Sequence, residues 1–240
     1  MTKGFTALAN YTWSHCIDYG ITTNTNTIQT WALSQRSNDR GNCELDRRHN
    51  FNLSAVYQLP QFSSHVARIL ATGWQASTVA RVVSGPWVTV ASGLDNALTG
   101  TADQWPNVAV GISPYAANRG AGSRIWLNSA AFAQPALGTY GNMAAQSIQG
   151  PGSVNFDVAL ARLFRVTEKS TIQVRAEAFN VMNHVNPGNA SAASSGATSG
   201  ASSPAALMSG VDVTLSDPLF GKIVNAADPR IIQVAVKFTF

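Results

Sequence analysis

Four residues near the start of the chain could bind a metal or react with one another: His15, Cys16, Cys43 and His49. Cysteine thiolates and histidine imidazoles are the usual ligands of structural zinc. Their spacing fits no familiar zinc pattern, and His49 begins a predicted strand, so we expect no metal site. Cys16 and Cys43 lie in one polar stretch between strand candidates. This favours a disulfide in an oxidising compartment, with two unrelated thiols as the alternative.

A second group with chemical potential consists of Asp157, Arg175 and Glu177. Two carboxylates can act as general acid and general base. All three residues fall on the polar side of alternating segments, where charged groups more often pair with each other or with a domain packed against them. The chain also lacks a glycine-rich phosphate loop, because GPGSVNFD precedes a strand candidate rather than a helix. We therefore expect neither enzymatic activity nor a cofactor.

The composition narrows the class of protein. Charged residues make up 12% of the 240 residues, about half of the roughly 25% that is usual in globular domains. The net charge is +4 and the basic residues are scattered, so we expect no nucleic-acid partner. No run reaches the roughly 18 apolar residues of a membrane helix. The start, MTKGFTALANYTWSH, has no signal-peptide pattern, which is typical of a cytoplasmic protein or of a sequence whose natural start is missing.

Six segments of about ten residues alternate between apolar and polar residues, which predicts six β-strands and an all-β fold. The predicted strands are Phe5 to Trp13, Asn50 to Leu59, Trp74 to Val83, Val154 to Phe164, Thr171 to Asn180, and the last ten residues. In the last segment, Ile232, Val234, Val236, Phe238 and Phe240 share one face. That face either covers a core or contacts lipid.

The connections between the predicted strands alternate in length. They are long, moderate, long, short and long, and the short one reads VTEKS. This is typical of an outer-membrane β-barrel, with short periplasmic turns and long extracellular loops, whereas a β-sandwich has no reason to sort its loops this way. Aromatic residues near the strand ends are consistent with interfacial girdles. The chain would then end in the periplasm.

The register of one hairpin can also be predicted. Residues directly opposite each other share a face, and even-numbered residues are apolar in both the fourth and the fifth strand. The residue numbers of two opposed residues must therefore add up to an even number, as they do for Phe164 and Ile172. The sequence predicts a turn of odd length, or a bulge, between these strands.

Six segments carry a family resemblance when they are taken together. They read DRRHNFNLSAVYQLP, GWQASTVARVVSGPWVTV, WLNSAAFAQPALGTYGN, GPGSVNFDVALARLF, QVRAEAFNVMNHVN and FGKIVNAADPRIIQVAVKFTF. In this order, and over nearly the whole chain, they resemble the C-terminal end of Oar-like TonB-dependent outer-membrane receptors.

The resemblance implies a protein larger than these residues. Such receptors have a secretion signal, an N-terminal β-sandwich domain, a plug domain and a barrel of about 22 strands. We expect residues 1–240 to form the C-terminal part of such a barrel, with the plug and N-terminal domains absent. The expected function is energised uptake of an unidentified substrate, with contact to the TonB complex only through the missing plug.

The resemblance also implies a role for the C-terminal strand. In such barrels, an alternating last strand with a final phenylalanine resembles the signal read by the outer-membrane assembly machinery. Val234, Val236, Phe238 and Phe240 match that pattern. The expected partners are therefore outer-membrane lipid and the barrel-assembly machinery.

Two other functions stay open at this stage. A stand-alone barrel of eight to ten strands with a structural or adhesive role would need additional strands hidden in residues 84–152. A secreted β-sandwich binding module would be soluble in water. The sequence favours the receptor over both.

Overall fold

The strands form one antiparallel sheet. The computed structural model describes residues 4–19, 37–60, 62, 64–66, 72–100, 104–119, 122–168, 170–188 and 210–240. Six long strands pair in the order of the sequence. They are β1 (Phe5–Trp13), β2 (His49–Gln58), β3 (Trp74–Val83), β4 (Ser153–Arg165), β5 (Thr171–Phe179) and β6 (Ile231–Thr239). The six predicted strands are confirmed, each boundary lies within one residue of the prediction, and every pair of neighbouring strands is antiparallel.

The register joins the apolar sides of all six strands into one continuous surface, which we call the apolar face. Each row of paired residues crosses the sheet on a single face because side chains alternate with period two. One apolar row consists of Phe5, Tyr57, Ala76, Leu160, Ala176 and Val234. The neighbouring row on the opposite, polar face consists of Thr6, Val56, Ser77, Ala159, Glu177 and Gln233.

The hairpin between β4 and β5 has the predicted register. Phe164 lies opposite Ile172, and Arg165 lies opposite Thr171. The turn therefore spans residues 166–170, an odd number. The backbone N–H of Val166 donates to the carbonyl of Ser170 at 2.9 Å, which closes the turn and keeps the apolar sides of both strands aligned.

The connections are sorted between the two ends of the sheet. Residues 59–73 and 166–170 connect strands at one end, which we call the turn end. Residues 14–48, 84–152 and 180–230 connect strands at the other, which we call the loop end. Within the described residues of 84–152, the strands are two residues long, as in Trp87–Val88 and Ile148–Gln149. None of these is long enough to cross a membrane.

The buried core lies at the loop end and not against the sheet. Residues of 84–152 pack with residues 210–223, and we call this packed unit the loop cap. Its buried cluster consists of Val88, Val90, Trp105, Leu127, Ala131, Phe132, Met143, Ala145, Ile148, Val211 and Val213. The long connections are therefore folded structure where they are described, which alternation in the sequence did not predict.

The sheet is open. β1 and β6 form its two edges, and no pairing joins them among the residues that the structure describes. The described part of the chain also contains no helix with the length and apolar character needed to span a membrane.

Candidate functional site

The four residues predicted to form an assembly signal lie on or next to the edge strand β6. Val234, Val236 and Phe238 project from its apolar face and are largely exposed. Phe240 follows the last residue of β6, is 93% exposed, and stacks on Phe238 with ring centroids 5.9 Å apart. The arrangement leaves all four side chains accessible to a lipid or protein partner, and their signal role stays a prediction.

Aromatic residues and an arginine cluster on the apolar face near the turn end. The guanidinium of Arg162 lies 5.5 Å from the ring centre of Trp74 and 4.6 Å from that of Phe164. Phe164 belongs to the same row as Phe238, through Ile172. An arginine on an otherwise apolar surface is tolerated at a membrane interface, where its stem contacts apolar groups and its charge meets headgroups.

The loop end of the apolar face has its own aromatic cluster. Tyr11 stacks on His49, and its hydroxyl lies 2.7 Å from the Nδ1 atom of that histidine. Trp13 is paired with His49 across β1 and β2 and meets His15 edge to face. The apolar face is therefore bounded at both ends by rings with polar partners, as expected for a surface that crosses a bilayer.

The polar face contains a hydrogen-bonded network near the loop end. The Nδ2 atom of Asn52 donates to Oδ1 of Asn10 at 3.1 Å. Both carboxylate oxygens of Asp157 accept from Nδ2 of Asn155 at 2.9 Å, and Oδ1 also accepts from the backbone N–H of Asn180 at 2.8 Å. Asp157 is therefore engaged in holding the end of β5 against β4.

The second predicted carboxylate has a different set of partners. Glu177 forms an ion pair with Arg175 and accepts a hydrogen bond from the side chain of Gln233 on β6. The three sequence-predicted charged residues are thus not assembled into one centre. Arg175 and Glu177 pair with each other, while Asp157 bonds to asparagines.

The two cysteines lie at the base of the connection between β1 and β2. The structure joins Cys16 and Cys43 by a disulfide with a Cα–Cα distance of 5.3 Å. Next to it, Ile17–Asp18 pairs with Gly41–Asn42 as a short ladder. Gly41 packs so closely on the backbone of Ala145 that a Cβ atom would collide with its carbonyl oxygen. The disulfide therefore fixes this connection next to the loop cap.

Removing this disulfide is expected to loosen the connection. It closes a loop with a sequence separation of 27, for which the chain-entropy model gives about 3–4 kcal/mol of stabilisation. We expect the double variant Cys16→Ser/Cys43→Ser to be cleaved faster than the native protein in limited proteolysis, with new sites within residues 14–48. Dithiothreitol should accelerate cleavage of the native protein and not of the variant. Equal cleavage of both under oxidising conditions would contradict the expected role.

A partly buried polar cluster follows the disulfide and reaches the loop cap. Asp46 accepts a hydrogen bond from the hydroxyl of Ser14, and Arg48 donates to Oδ1 of Asn42 at 3.0 Å. The guanidinium of Arg48 lies 5.5 Å from the ring centre of Trp87, the first strand residue of the cap. These contacts connect the end of β1 with the start of β2 and with the cap.

Arg47, in the same segment, is half-buried. Burial lowers the pKa of Arg47, and the negative charges of Asp46 and Glu44 partly offset the shift. The side chain also donates to the backbone carbonyls of Glu44 and Asp46, each at 3.1 Å. The segment is therefore held by its own carbonyl groups as well as by the cap.

Aromatic residues of the long connections pack within the loop cap. Trp105 is buried in its core, and Tyr115 and Trp126 pack against it. The hydroxyl of Tyr115 accepts from the backbone N–H of Gln149 at 2.8 Å, and the indole N–H of Trp126 donates to the carbonyl of Gln149 at 3.0 Å. Trp31, in the connection between β1 and β2, lies outside the described residues.

A charged turn in the cap is organised by Asp95. Its carboxylate accepts hydrogen bonds from the backbone N–H groups of Thr99 at 2.8 Å and Gly100 at 2.7 Å, and another from the side chain of Gln104. These bonds lower the pKa of Asp95, with the bond from Thr99 as the largest cause. Gln104 is itself buried, so the turn is anchored in the cap.

Two asparagines that were not predicted from the sequence hold the start of the last connection, residues 180–230, against the sheet. Asn180 has a φ of 48°, and its side chain donates to the carbonyl and accepts from the N–H of His184, both at 2.9 Å. Asn186 accepts from the N–H of Val154 at 2.8 Å and donates to its carbonyl at 2.9 Å. The run NVMNHVN, with asparagine at every third position, was the available signal for this turn.

Comparison with protein-family models gives a match over nearly the whole chain. A protein-family model described as "Outer membrane beta barrel domain" matches residues 1–233. Comparisons with curated proteins and with solved structures gave no significant match. The family match covers β1 to β5 and the loop cap, and it ends one residue before Val234.

Proposed function

This chain belongs to the outer membrane beta barrel domain family, and from this premise we propose that it forms the C-terminal part of the barrel of an Oar-like TonB-dependent receptor. Members of the family are located in the outer membrane, and so is this protein. The proposed activity is energised uptake of an unidentified substrate by the whole receptor. The assignment to the Oar-like TonB-dependent receptors is supported by the six sequence segments that resemble this receptor class.

The observation that carries the proposal is an open sheet with one continuous apolar face. Each unpaired backbone group in lipid costs several kcal/mol. β1 and β6, the two edges of the sheet, are not paired with each other in the described residues. In a bilayer, both edges therefore require further strands. A large receptor barrel of about 22 strands supplies these additional strands. The register of β1 and β6 then determines which side of the additional strands is apolar.

The proposal assigns a role to each end of the sheet. The loop end, with its packed cap, faces the medium, and the turn end faces the periplasm, as in outer-membrane barrels generally. The polar face lines the interior and contacts the plug, through which the receptor meets the TonB complex. The barrel-assembly machinery recognises Val234, Val236, Phe238 and Phe240. The proposed role is not catalytic and involves neither a cofactor nor nucleic acid.

The test is a binding experiment with the full gene product. We expect the periplasmic domain of TonB to co-purify with the receptor extracted from outer membranes in detergent. Residues 1–240 expressed with a secretion signal should not retain TonB, because the plug is expected to lie outside them. The matched control is the full receptor with its plug deleted.

Two results would contradict the proposal. One is failure of the full gene product to bind TonB. The other is a purified 240-residue chain that migrates as a complete, heat-modifiable barrel without any additional strands. The second result would favour a stand-alone barrel with a structural or adhesive role.

A further inference from the structure

A groove of about 870 Å³ opens at the loop end between the loop cap and the last connection. It is lined by residues 122–124 and Trp126 of the cap, by residues 151–152 before β4, by residues 182–185 and Pro187 after β5, and by residues 223–226 before β6. This volume is within the range of small-molecule sites, about 300–1,000 Å³. Neither the two cysteines nor the residues of the predicted assembly signal line it.

The groove has a fixed shape on its cap side. The indole of Trp126 is held by its hydrogen bond to Gln149. The carbonyl of Arg124 accepts from the N–H of Ile223 at 2.6 Å, and the N–H of Trp126 donates to the carbonyl of Gly221 at 2.7 Å. A site held by backbone pairing loses little conformational freedom when a ligand binds.

The opposite side of the groove is fixed by the asparagines described above. Asn186 is oriented by its two bonds to Val154, so its Oδ1 atom is an acceptor. Nδ1 of His184 lies 3.1 Å from this oxygen and must therefore carry the hydrogen. The Nε2 atom makes no hydrogen bond with any described residue and is left for a ligand. Met182 and Val185, on the same segment, are strongly exposed and provide apolar surface.

The charged residues of the groove indicate which class of ligand it can bind. Arg124 and His184 are its titratable residues among the described residues, and no described carboxylate lines it. Arg124 is exposed and makes no ion pair with any residue that the structure describes. A guanidinium fork matches a carboxylate in shape and charge. Trp126, Met182 and Val185 contribute apolar surface beside that charge.

We propose that this groove binds an amphipathic organic carboxylate, with the carboxylate on Arg124 and the apolar part against Trp126 and Met182. The inference deepens the proposed function, because a site at the loop end serves uptake only if that end faces the medium. Binding does not require TonB or transport. Failure of binding and failure of the proposed receptor function are therefore separate results.

The test uses two probes that differ only in charge, N-acetyl-4-fluoro-L-phenylalanine and its amide. The protein is extracted from outer membranes in detergent, and binding is followed by fluorine NMR relaxation, with empty micelles as the blank. We expect the carboxylate to bind about tenfold more tightly than the amide. Arg124→Gln should remove this preference, and Arg124→Lys should keep part of it.

The matched control is Lys222→Gln. Lys222 is an exposed cation two residues before Val224, and its Nζ donates to the carbonyl of Pro218 at 3.1 Å outside the groove. This variant loses the same charge and should retain the tenfold preference. Equal binding of the two probes, no binding of either, or an equal loss in Lys222→Gln and Arg124→Gln would overturn the proposal.

Discussion

Replacing Val234 with arginine is expected to destabilise the membrane-embedded sheet by about 2–4 kcal/mol. Val234 lies near the middle of β6 on the apolar face, opposite Ala176, and is 69% exposed. If this face contacts lipid, the guanidinium must either enter the hydrocarbon region or distort the strand to reach water. The free energy of unfolding is measured by denaturant titration of the full receptor refolded into phospholipid vesicles.

The adjacent residue provides the matched control. Gln233 lies on the polar face, opposite Glu177, with which it forms a hydrogen bond. Gln233→Arg introduces the same group into the same strand but replaces that bond with an ion pair, so we expect a change below about 1 kcal/mol. A similar decrease of the free energy of unfolding in both variants would mean that β6 does not separate lipid from a polar interior.

The same pair of variants distinguishes stability from recognition by the assembly machinery. Refolding into vesicles needs no machinery, whereas the amount of protein assembled in cells depends on both. A defect of Val234→Arg in cells that exceeds its effect in vesicles would support the assembly-signal prediction for this strand. Equal effects would attribute the defect to lipid contact alone.

Replacing Phe132 with alanine is expected to lower the stability of the loop cap by about 3–5 kcal/mol, because the change leaves a cavity in its core. Phe132 is 6% exposed, and its ring meets Phe220 edge to face at 5.4 Å. Phe220 belongs to the connection between β5 and β6, so the cavity separates two connections that share one core. We expect fast proteolytic cleavage within the cap while the barrel of the full receptor keeps its heat-modifiable migration.

Leu137→Ala is the control for the cap. Leu137 is in the same connection but 77% exposed, so its truncation should change the cleavage rate little. Loss of heat-modifiable migration in Phe132→Ala would show that the cap and the sheet unfold together. An unchanged cleavage rate would contradict the packed core.

The strands and their register were predictable because most residues of each strand follow a two-residue period. In β3, Trp74, Ala76, Thr78, Ala80 and Val82 share one face opposite Gln75, Ser77 and Arg81, and both ends of that strand match the prediction. The face of each strand then determined the odd turn between β4 and β5. A local sequence pattern is sufficient to predict a strand where its side chains must alternate between two environments.

The loop cap could not be predicted in this way. Its core brings together Val88, Phe132, Met143 and Val213, which are far apart in the sequence and belong to segments without a common period. The disulfide was suggested by the shared polar stretch of its cysteines. The groove could not be predicted from the sequence, because its residues Arg124 and His184 belong to two different connections that meet only in the folded protein.

The most direct test of the account is to determine which side of β6 contacts lipid. A spin label is placed in turn at residues 232 to 237 of the full receptor in phospholipid vesicles. Collisions with oxygen report lipid, and collisions with a water-soluble nickel chelate report water. We predict high oxygen accessibility at positions 232, 234 and 236 and lower values at 233, 235 and 237, with the nickel chelate showing the opposite pattern. Accessibility that does not alternate, or even-numbered positions open to the nickel chelate, would contradict a membrane-spanning sheet.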